Sequence, residues 1–344
     1  MNQIKLEPGP LLDKKGRLSQ SGYATELIKT YDRKKIKAGK LRIKEWDYYL
    51  AYNKDFGIAL TVADNGYMGL ISATFLDFTT GEEQTLSPMI FMPLGKLGMP
   101  SSSEAGDLHY KDDKLEIHFT HENEQRRIKF NMPNFNKRSS LFVDVTLTPT
   151  MEESMVIATP FKKKSKKFYY NQKIIGMRAS GTVNYKNQHY VLDPVDSFGI
   201  LDWGRGVWTY DNTWYWSAAN GLIDGKVFGF NLGYGFGDTS AATENMLFYD
   251  GAHKLEHVTF TIPTKDDGTP DYHEKPWLFT SSDGRFEAIF TPILDRSSFT
   301  SFKLLLSDQH QVFGYFTGKA VLDSGQVISF QNLLGFAEKV RNKW

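Results

Sequence analysis

Apolar and polar positions alternate along most of this chain with a period of two. The pattern is clear in residues 115–119, 141–147, 258–262 and 286–290, where aliphatic and aromatic residues are separated by mostly polar ones. Successive side chains of a strand point to opposite faces, so this period predicts antiparallel sheets with one buried face. Gly, Asp and Asn separate the segments, as expected for turns between strands. The sequence therefore predicts an all-β protein.

One N-terminal segment departs from this period. Residues 21–35 place Ala24, Leu27, Ile28 and Tyr31 at helical spacing. Intervals of three and four residues bring side chains to one face of a helix, so the segment predicts a short helix. We expect residues 1–40 to form an arm that carries this helix.

The rest of the chain repeats itself. Trp46-Asp47-Tyr48-Tyr49 resembles Trp214-Tyr215-Trp216, and Asp202 corresponds to Glu338 near the ends of the two copies. A repeat of this length indicates a duplicated unit. We expect Asp202 and Glu338 to hold equivalent places in the two copies.

The repeat also sets the expected domain organisation. The first unit covers residues 41–205, with an insertion near residues 120–180, and the second covers residues 206–344. Units of this size, built from alternating strands, suit two lipocalin-like antiparallel β-barrels in tandem. This is the fold that we predict.

Composition excludes several classes of function. The 344 residues include 41 basic and 40 acidic side chains, so the formal net charge of +1 does not indicate nucleic-acid binding. Cysteine is absent, which removes disulfides, thiolate ligands and a cysteine nucleophile. Residues 1–16 lack the apolar core of a secretory signal, and no apolar run reaches the roughly 18 residues of a membrane span. We expect a cytoplasmic protein.

Metals and cofactors are also not expected. His118 and His121 face opposite sides of a strand, and His253 and His257 have no third ligand in view. No phosphate-binding, dinucleotide-binding or nucleophile-elbow motif is present.

The basic run at residues 162–167 has two interpretations. It is either a solvated loop or a peripheral membrane contact worth about 1 kcal/mol per basic residue.

Residues 228–236 form an unusual predicted strand. Phe228, Phe230, Leu232, Tyr234 and Phe236 share one face, and the other face carries glycines and Asn231. Glycines inside a strand indicate that a ring or a ligand approaches the backbone closely. An amide in such a strip needs a partner, so Asn231 is our best candidate for a polar group that faces a pocket.

Asp202 has two interpretations. As a general acid, it needs apolar walls that raise its pKa. Alternatively, it forms an ion pair with Arg205 that closes one end of a barrel, with Trp203 beside it. The two hypotheses differ in whether Asp202 faces a cavity.

The nearby aromatic residues either form a pocket wall or belong to the core. The polar residues after the glycine-rich strand either cap a turn or line a pocket rim. The candidate ligand-binding residues are Trp203, Arg205, Trp208, Trp214, Trp216, Asn231, Tyr234, Asp238, Glu244 and Asn245.

Several blocks of this sequence resemble a bacterial family known as domain of unknown function 2804. They are residues 45–49, 202–208, 214–217, 228–238, 243–245, 276–277, 283–285 and 335–344. The acidic residue before Trp203-Gly204, followed by Trp214-x-Trp216, is also distantly similar to the two-barrel group that contains carotenoid 1,2-hydratases and tocopherol cyclases. That resemblance implies an apolar substrate and an acid that protonates an alkene.

Three functions are consistent with the sequence. The first is binding of a hydrophobic or amphipathic small molecule, such as a lipid or an isoprenoid-like compound. The second is a cofactor-free hydratase, cyclase or isomerase, with Asp202 as the acid, Trp203 and Trp216 as walls and Asn231 as an orienting group. The third is an interaction scaffold whose barrels are filled by their own side chains.

Overall fold

The computed structural model describes residues 2–137, 139–162, 164–303 and 305–344. Strands make up nearly all the regular structure of this part of the chain, which confirms the all-β prediction. The first strands are β1 (Gly9–Pro10), β2 (Gly22–Ala24), β3 (Lys29–Thr30), β4 (Lys44–Tyr52), β5 (Phe56–Asp64), β6 (Met68–Asp77), β7 (Glu82–Leu86) and β8 (Met89–Phe91). Next come β9 (Leu108–Lys111), β10 (Glu116–Glu122), β11 (Gln125–Asn136), β12 (Ser139–Thr148), β13 (Met155–Pro160), β14 (Phe168–Tyr185), β15 (Gln188–Leu192) and β16 (Phe198–Val207). The last are β17 (Asp211–Ile223), β18 (Lys226–Tyr234), β19 (Met246–Phe248), β20 (Ala252–Lys254), β21 (Val258–Thr261), β22 (Trp277–Ser281), β23 (Phe286–Phe302), β24 (Leu305–Val321) and β25 (Val327–Lys343).

Two large antiparallel sheets contain most of these strands. The first has the order β7-β6-β5-β4-β16-β14-β12-β11-β10-β9, and the second has the order β20-β19-β18-β17-β25-β24-β23-β22-β21. In both sheets the first long strand pairs with the last one, β4 with β16 and β17 with β25. The same connection therefore occurs twice, as the sequence repeat predicts.

Each sheet curls around a core of its own. The core of the first sheet includes Leu60, Phe119 and Val143, and the core of the second includes Phe230 and Phe316. Both interiors are filled by the side chains of the sheet itself, because alternate residues of each strand point inward. A third group of buried residues joins the two sheets across their facing sides, and it contains Leu50, Ile200, Trp216 and Phe336.

Residues 2–40, the described part of the N-terminal arm, contain no α-helix, so the helix predicted for residues 21–35 is wrong. The segment forms β2, β3 and a three-residue 3-10 helix at Arg33–Lys35, followed by a second one at Lys40–Arg42. β2 pairs with β13, and β3 pairs with β1 in parallel. These pairings supply the hydrogen bonds that a helix would make within itself, so tertiary contacts override the local spacing. Among the described residues, no helix has the length and apolarity that a membrane span needs.

Phe236 does not share the face of Phe228, because the backbone bends at Gly235, where φ is +93°, and Phe236 turns toward the first sheet.

Lys162, Lys164 and Lys166 of the basic run are exposed, and Lys163 lies outside the described residues. Membrane contact by this run stays a prediction.

Candidate functional site

A cleft of about 810 Å³ opens between the two sheets. It continues from the buried residues that join the sheets, and both sheets contribute to its lining. Apolar surface predominates in its lining, and a group of charged side chains lies in the part that we call its floor. Clefts with this combination are the usual binding sites for small organic molecules.

One side of the cleft is a cluster of packed aromatic rings. Trp46 stacks on Tyr169 with 5.8 Å between ring centroids and on Trp208 at 5.2 Å, and Trp208 lies 6.3 Å from Trp214. Phe236 meets three of these rings edge to face. These rings support one another, so they form a preassembled apolar wall.

The floor of the cleft contains Lys173, Asp202, Glu244 and Glu338. Lys173 lies directly opposite Asp202 in the pairing of β14 with β16. Its ammonium is 2.8 Å from the Asp202 carboxylate and 3.7 Å from the centroid of the Trp216 ring. Asn171 donates a second hydrogen bond to Asp202. Asp202 is therefore held in place by a cation and an amide.

Glu338 is a carboxyl group of the floor whose pKa lies near neutral pH. Trp214 donates a hydrogen bond to its Oε1 at 2.8 Å, and the amide of Gln311 donates to its Oε2 at 3.1 Å. Burial, which disfavours the charged form, raises the pKa of Glu338 from 4.5 to about 7, and the nearby negative charge of Asp202 acts in the same direction. A group with such a pKa holds or releases a proton near neutral pH.

Glu244 is the third carboxyl group of the floor. It is buried, and no described residue donates a hydrogen bond to its side chain. Burial raises the pKa of Glu244, and Lys173 partly offsets this effect. A Cβ atom on Gly233 would lie only 2.6 Å from the Glu244 carboxyl carbon, so the missing side chain makes room for this group. The floor thus holds three carboxyl groups and one lysine.

The glycines of the central strands have the role that their positions predict. A Cβ atom on Gly204 would lie 1.9 Å from the ring of Trp46, and one on Gly229 would lie 2.7 Å from Ile175. A ring, an aliphatic side chain and a carboxyl group therefore occupy the space above these residues. The strip of small residues on β18 faces the first sheet.

Asp202 and Arg205 do not form an ion pair, so that hypothesis is wrong. The two residues are three positions apart on β16, and their side chains consequently point to opposite faces. Arg205 points into the first sheet, where it donates to Asp47 Oδ1 at 2.8 Å and to the carbonyl oxygen of Pro100 at 2.7 Å. Its guanidinium lies 4.3 Å from the centroid of the Trp203 ring. Trp203 and Arg205 are buried and do not line the cleft.

The other predicted residues divide between the cleft and its surroundings. Trp208, Trp214, Trp216 and Glu244 line the cleft together with Asp202. Asn231 is buried just behind it, accepting a hydrogen bond from Trp216 Nε1 at 2.8 Å and donating one to the carbonyl oxygen of Glu244. Asn231 thus positions two residues of the cleft.

Three predicted residues lie elsewhere. Tyr234 stacks on Tyr215 at 4.5 Å, on the inner side of the second sheet. Asp238 accepts a hydrogen bond from the backbone of Ser240, as expected for a turn residue. Asn245 accepts from the backbone of Gly233 and donates to that of Glu256, so it ties the segment that carries Glu244 to β18.

Sequence reasoning missed several residues of the cleft. Lys173 carries no motif, and only strand register brings it to Asp202. In the sequence, Trp46 and Glu338 are the repeat partners of Trp214 and Asp202 and lie in the blocks that resemble the family, and both line the cleft. The repeat was therefore a usable signal for these two positions.

Comparison with known proteins places this chain in a family. The chain belongs to the family described as domain of unknown function 2804, whose model matches residues 2–344. No curated protein matches the chain in sequence. The predicted family membership is confirmed.

Two solved structures resemble it in fold. A Nitrosomonas europaea protein provisionally assigned as AttH has a TM-score of 0.55 at 13% identity, over 92% of this chain and 98% of that one. Kievitone hydratase from Nectria haematococca has a TM-score of 0.52 at 11% identity, over 97% of this chain and 98% of that one. The similarity to a hydratase agrees with the distant resemblance that the tryptophan motifs predicted, and at these identities it concerns the fold.

Proposed function

We propose that the cleft between the two sheets binds a small amphipathic molecule. The observation that carries this proposal is a cleft of about 810 Å³ with an aromatic wall and a floor of carboxyl groups. The apolar body of the ligand lies against Trp46, Trp208 and Trp214. Its polar end donates hydrogen bonds to Glu244 or Asp202, because these acceptors are buried and Glu244 has no donor among the described residues.

Exposed apolar residues at the mouth of the cleft are further evidence for an apolar ligand. Met89 lies opposite Leu70, and Phe91 opposite Met68, so all four side chains are on the cleft side of β6 and β8. At the tip of the opposing hairpin, Phe302 pairs with Leu305. Met89, Phe91, Phe302 and Leu305 are exposed. Exposed apolar side chains around a cleft often mark the entry of an apolar ligand.

The first test is native mass spectrometry of the protein as purified, followed by organic extraction. We expect one bound compound per chain in the wild type and none in Thr61→Trp, because the indole would fill the cleft that Thr61 lines. Thr259→Trp is the matched control, since Thr259 is exposed on β21 and does not line the cleft. Equal occupancy in Thr61→Trp and wild type would contradict the proposal, as would a wild type that binds no apolar compound when offered a lipid and isoprenoid mixture.

A second candidate function is acid-catalysed addition of water to an alkene. The specific observation in its favour is the carboxyl group of Glu338, whose pKa of about 7 lets it carry a proton near neutral pH. In this scheme Glu338 gives its proton to one alkene carbon, water adds to the other, and the water releases a proton to Asp202 or Glu244. The rings of the aromatic wall stabilise the cation. The similarity to kievitone hydratase supports the same class of reaction.

This scheme differs from the sequence hypothesis in the identity of the acid. Asp202 is paired with Lys173, so it suits the role of proton acceptor, and Glu338 takes the role of donor. The test uses the compound released by extraction, incubated with the protein in water enriched in oxygen-18. We expect incorporation by wild type and loss in Glu338→Gln, with unchanged binding. Glu287→Gln is the control, because Glu287 forms an exposed pair with Lys319. Incorporation that persists in Glu338→Gln would exclude Glu338 as the donor.

A further inference from the structure

Two histidines and a glutamate meet on the outer side of the first sheet, away from the cleft. The Nε2 atom of His109 is 3.2 Å from Glu116 Oε1, and the Nε2 atom of His118 is 2.9 Å from the same oxygen. The two imidazole rings stack with 3.9 Å between centroids. All three donor atoms lie within 4.8 Å of one another.

Strand pairing creates this group. His109 on β9 lies directly opposite His118 on β10, and Glu116 is two residues before His118, on the same face. The neighbouring residues Ile117 and Phe119 point into the core of the first sheet. The sequence predicted no metal site because His118 and His121 face opposite sides, and the partner that matters, His109, comes from the adjacent strand.

We propose that His109, Glu116 and His118 bind a divalent transition-metal ion of the zinc or copper class. Metal–nitrogen and metal–oxygen bonds of about 2.0–2.2 Å in a tetrahedral shell put neighbouring donors about 3.3 Å apart. The distances from Glu116 Oε1 to the two Nε2 atoms are close to this value. Imidazole with one carboxylate suits zinc, copper and nickel, and water completes the shell.

Lys111 orients the carboxylate of this site. Its Nζ atom lies 2.9 Å from Glu116 Oε2, so this oxygen is occupied and Oε1 is the one directed at both histidines. A partner that holds the far oxygen of a ligating carboxylate fixes its orientation. The ion replaces the two hydrogen bonds between the imidazoles and Glu116. To bind it, each neutral ring carries its proton on Nδ1, and the rings turn out of their near-parallel stack so that both Nε2 lone pairs point at the ion.

The position of the site indicates what the ion does. β9 is the last strand of the first sheet, so one of its edges is unpaired in the path of that sheet. Edge strands are held by fewer hydrogen bonds than central ones. An ion bound to His109 on β9 and to two residues of β10 ties the edge strand to its neighbour. The role is therefore structural, and it is independent of the ligand proposed for the cleft.

Metal titration tests the proposal directly. Chelator-treated full-length protein is titrated with Zn²⁺ by calorimetry and with Co²⁺ by visible absorption. We expect one equivalent to bind, with absorption bands of tetrahedral Co²⁺, and we expect excess Zn²⁺ to raise the midpoint of thermal unfolding. His118→Gln, His109→Gln and Glu116→Gln should each weaken binding at least about tenfold.

The control is His189→Gln, because His189 is exposed and bonds only to Asn184 among the described residues. This variant should bind like the wild type. The three ligand positions lie on the surface, so circular dichroism should show unchanged folding in every variant. Absence of a one-to-one complex, or equal affinity in His118→Gln and wild type, would overturn the proposal.

Discussion

The two faces of β16 make opposite use of buried charge. On the inner face, Arg205 is fully buried, and its donors meet Asp47 and several backbone carbonyl oxygens. On the outer face, Asp202 shares the floor of an open cleft with Lys173, Glu244 and Glu338. The cation on the inner face therefore has an acidic partner, whereas the floor of the cleft on the outer face contains three carboxyl groups and only one lysine.

The difference shows how one short motif serves two purposes. Asp202-Trp203-Gly204-Arg205 reads as a single unit in sequence, yet alternate residues enter different environments. Trp203 and Arg205 close the interior of the first sheet. Asp202 and the ring above Gly204 belong to the cleft. The carboxyl groups of the floor outnumber its one lysine, and a hydrogen bond from a ligand or a bound proton can compensate for this.

Arg205→Leu should have the largest effect, because it leaves Asp47 buried without its cation. Removing one partner of a buried ion pair costs about 3–5 kcal/mol of unfolding free energy. Urea unfolding measures the loss. Arg127→Gln is the control, because it breaks an exposed pair with Asp144, and the expected loss there is below about 1 kcal/mol. Similar losses in both variants would show that the inner face does not depend on its ion pair. If Arg205→Leu does not fold, Asp47→Asn supplies the comparison.

Lys173→Met should cost less, about 2–3 kcal/mol, because Asp202 keeps Asn171 and some contact with solvent. The double variant Lys173→Met/Asp202→Asn should recover part of this loss, since position 202 then carries no unpaired charge. A double-mutant cycle measured by urea unfolding gives the coupling free energy between Lys173 and Asp202. Additive losses would mean that the pair on the cleft floor contributes nothing to stability.

Glu338 should make stability depend on pH. Its folded-state pKa of about 7 lies above its ordinary value of 4.5, so the folded state binds more protons between these values. The free energy of unfolding therefore falls as pH rises through this window, by up to about 1.4 kcal/mol per pH unit, and levels off above pH 7. The free energy of unfolding, measured between pH 5 and pH 8 in wild type and in Glu338→Gln, gives by difference the contribution of Glu338 together with its coupling to Lys173 and Asp202. Glu287→Gln should retain the wild-type dependence, and an unchanged profile in Glu338→Gln would contradict the raised pKa.

Gly233→Ala should have the smallest effect on stability, about 1 kcal/mol, and a clear effect on the cleft. The added methyl group meets the Glu244 carboxyl at 2.6 Å, and this side chain must move. Gly39→Ala is the control, because its φ is −61° and no atom lies within 4 Å of the new Cβ. Native mass spectrometry should show reduced ligand occupancy only in Gly233→Ala. Unchanged occupancy would mean that Glu244 does not contact the ligand.

The sequence predicted the strands because their pattern is local. Leu141, Val143, Val145 and Leu147 alternate in the sequence and are all buried in β12. The repeat likewise predicted equivalent places for Asp202 and Glu338, and both reach the cleft floor. The segment at residues 21–35 shows the limit, since its helical spacing is real but its hydrogen bonds go to β13 and β1.

The order of residues along the chain thus predicts the class of fold, the duplication, the family and the concentration of aromatic and acidic residues near the site. The contacts between these residues depend on how distant strands pair. Lys173 meets Asp202, Gln311 meets Glu338 and His109 meets His118 because of strand register. Alternation determines which residues share a face of one strand, but pairing between distant strands determines which of those residues touch.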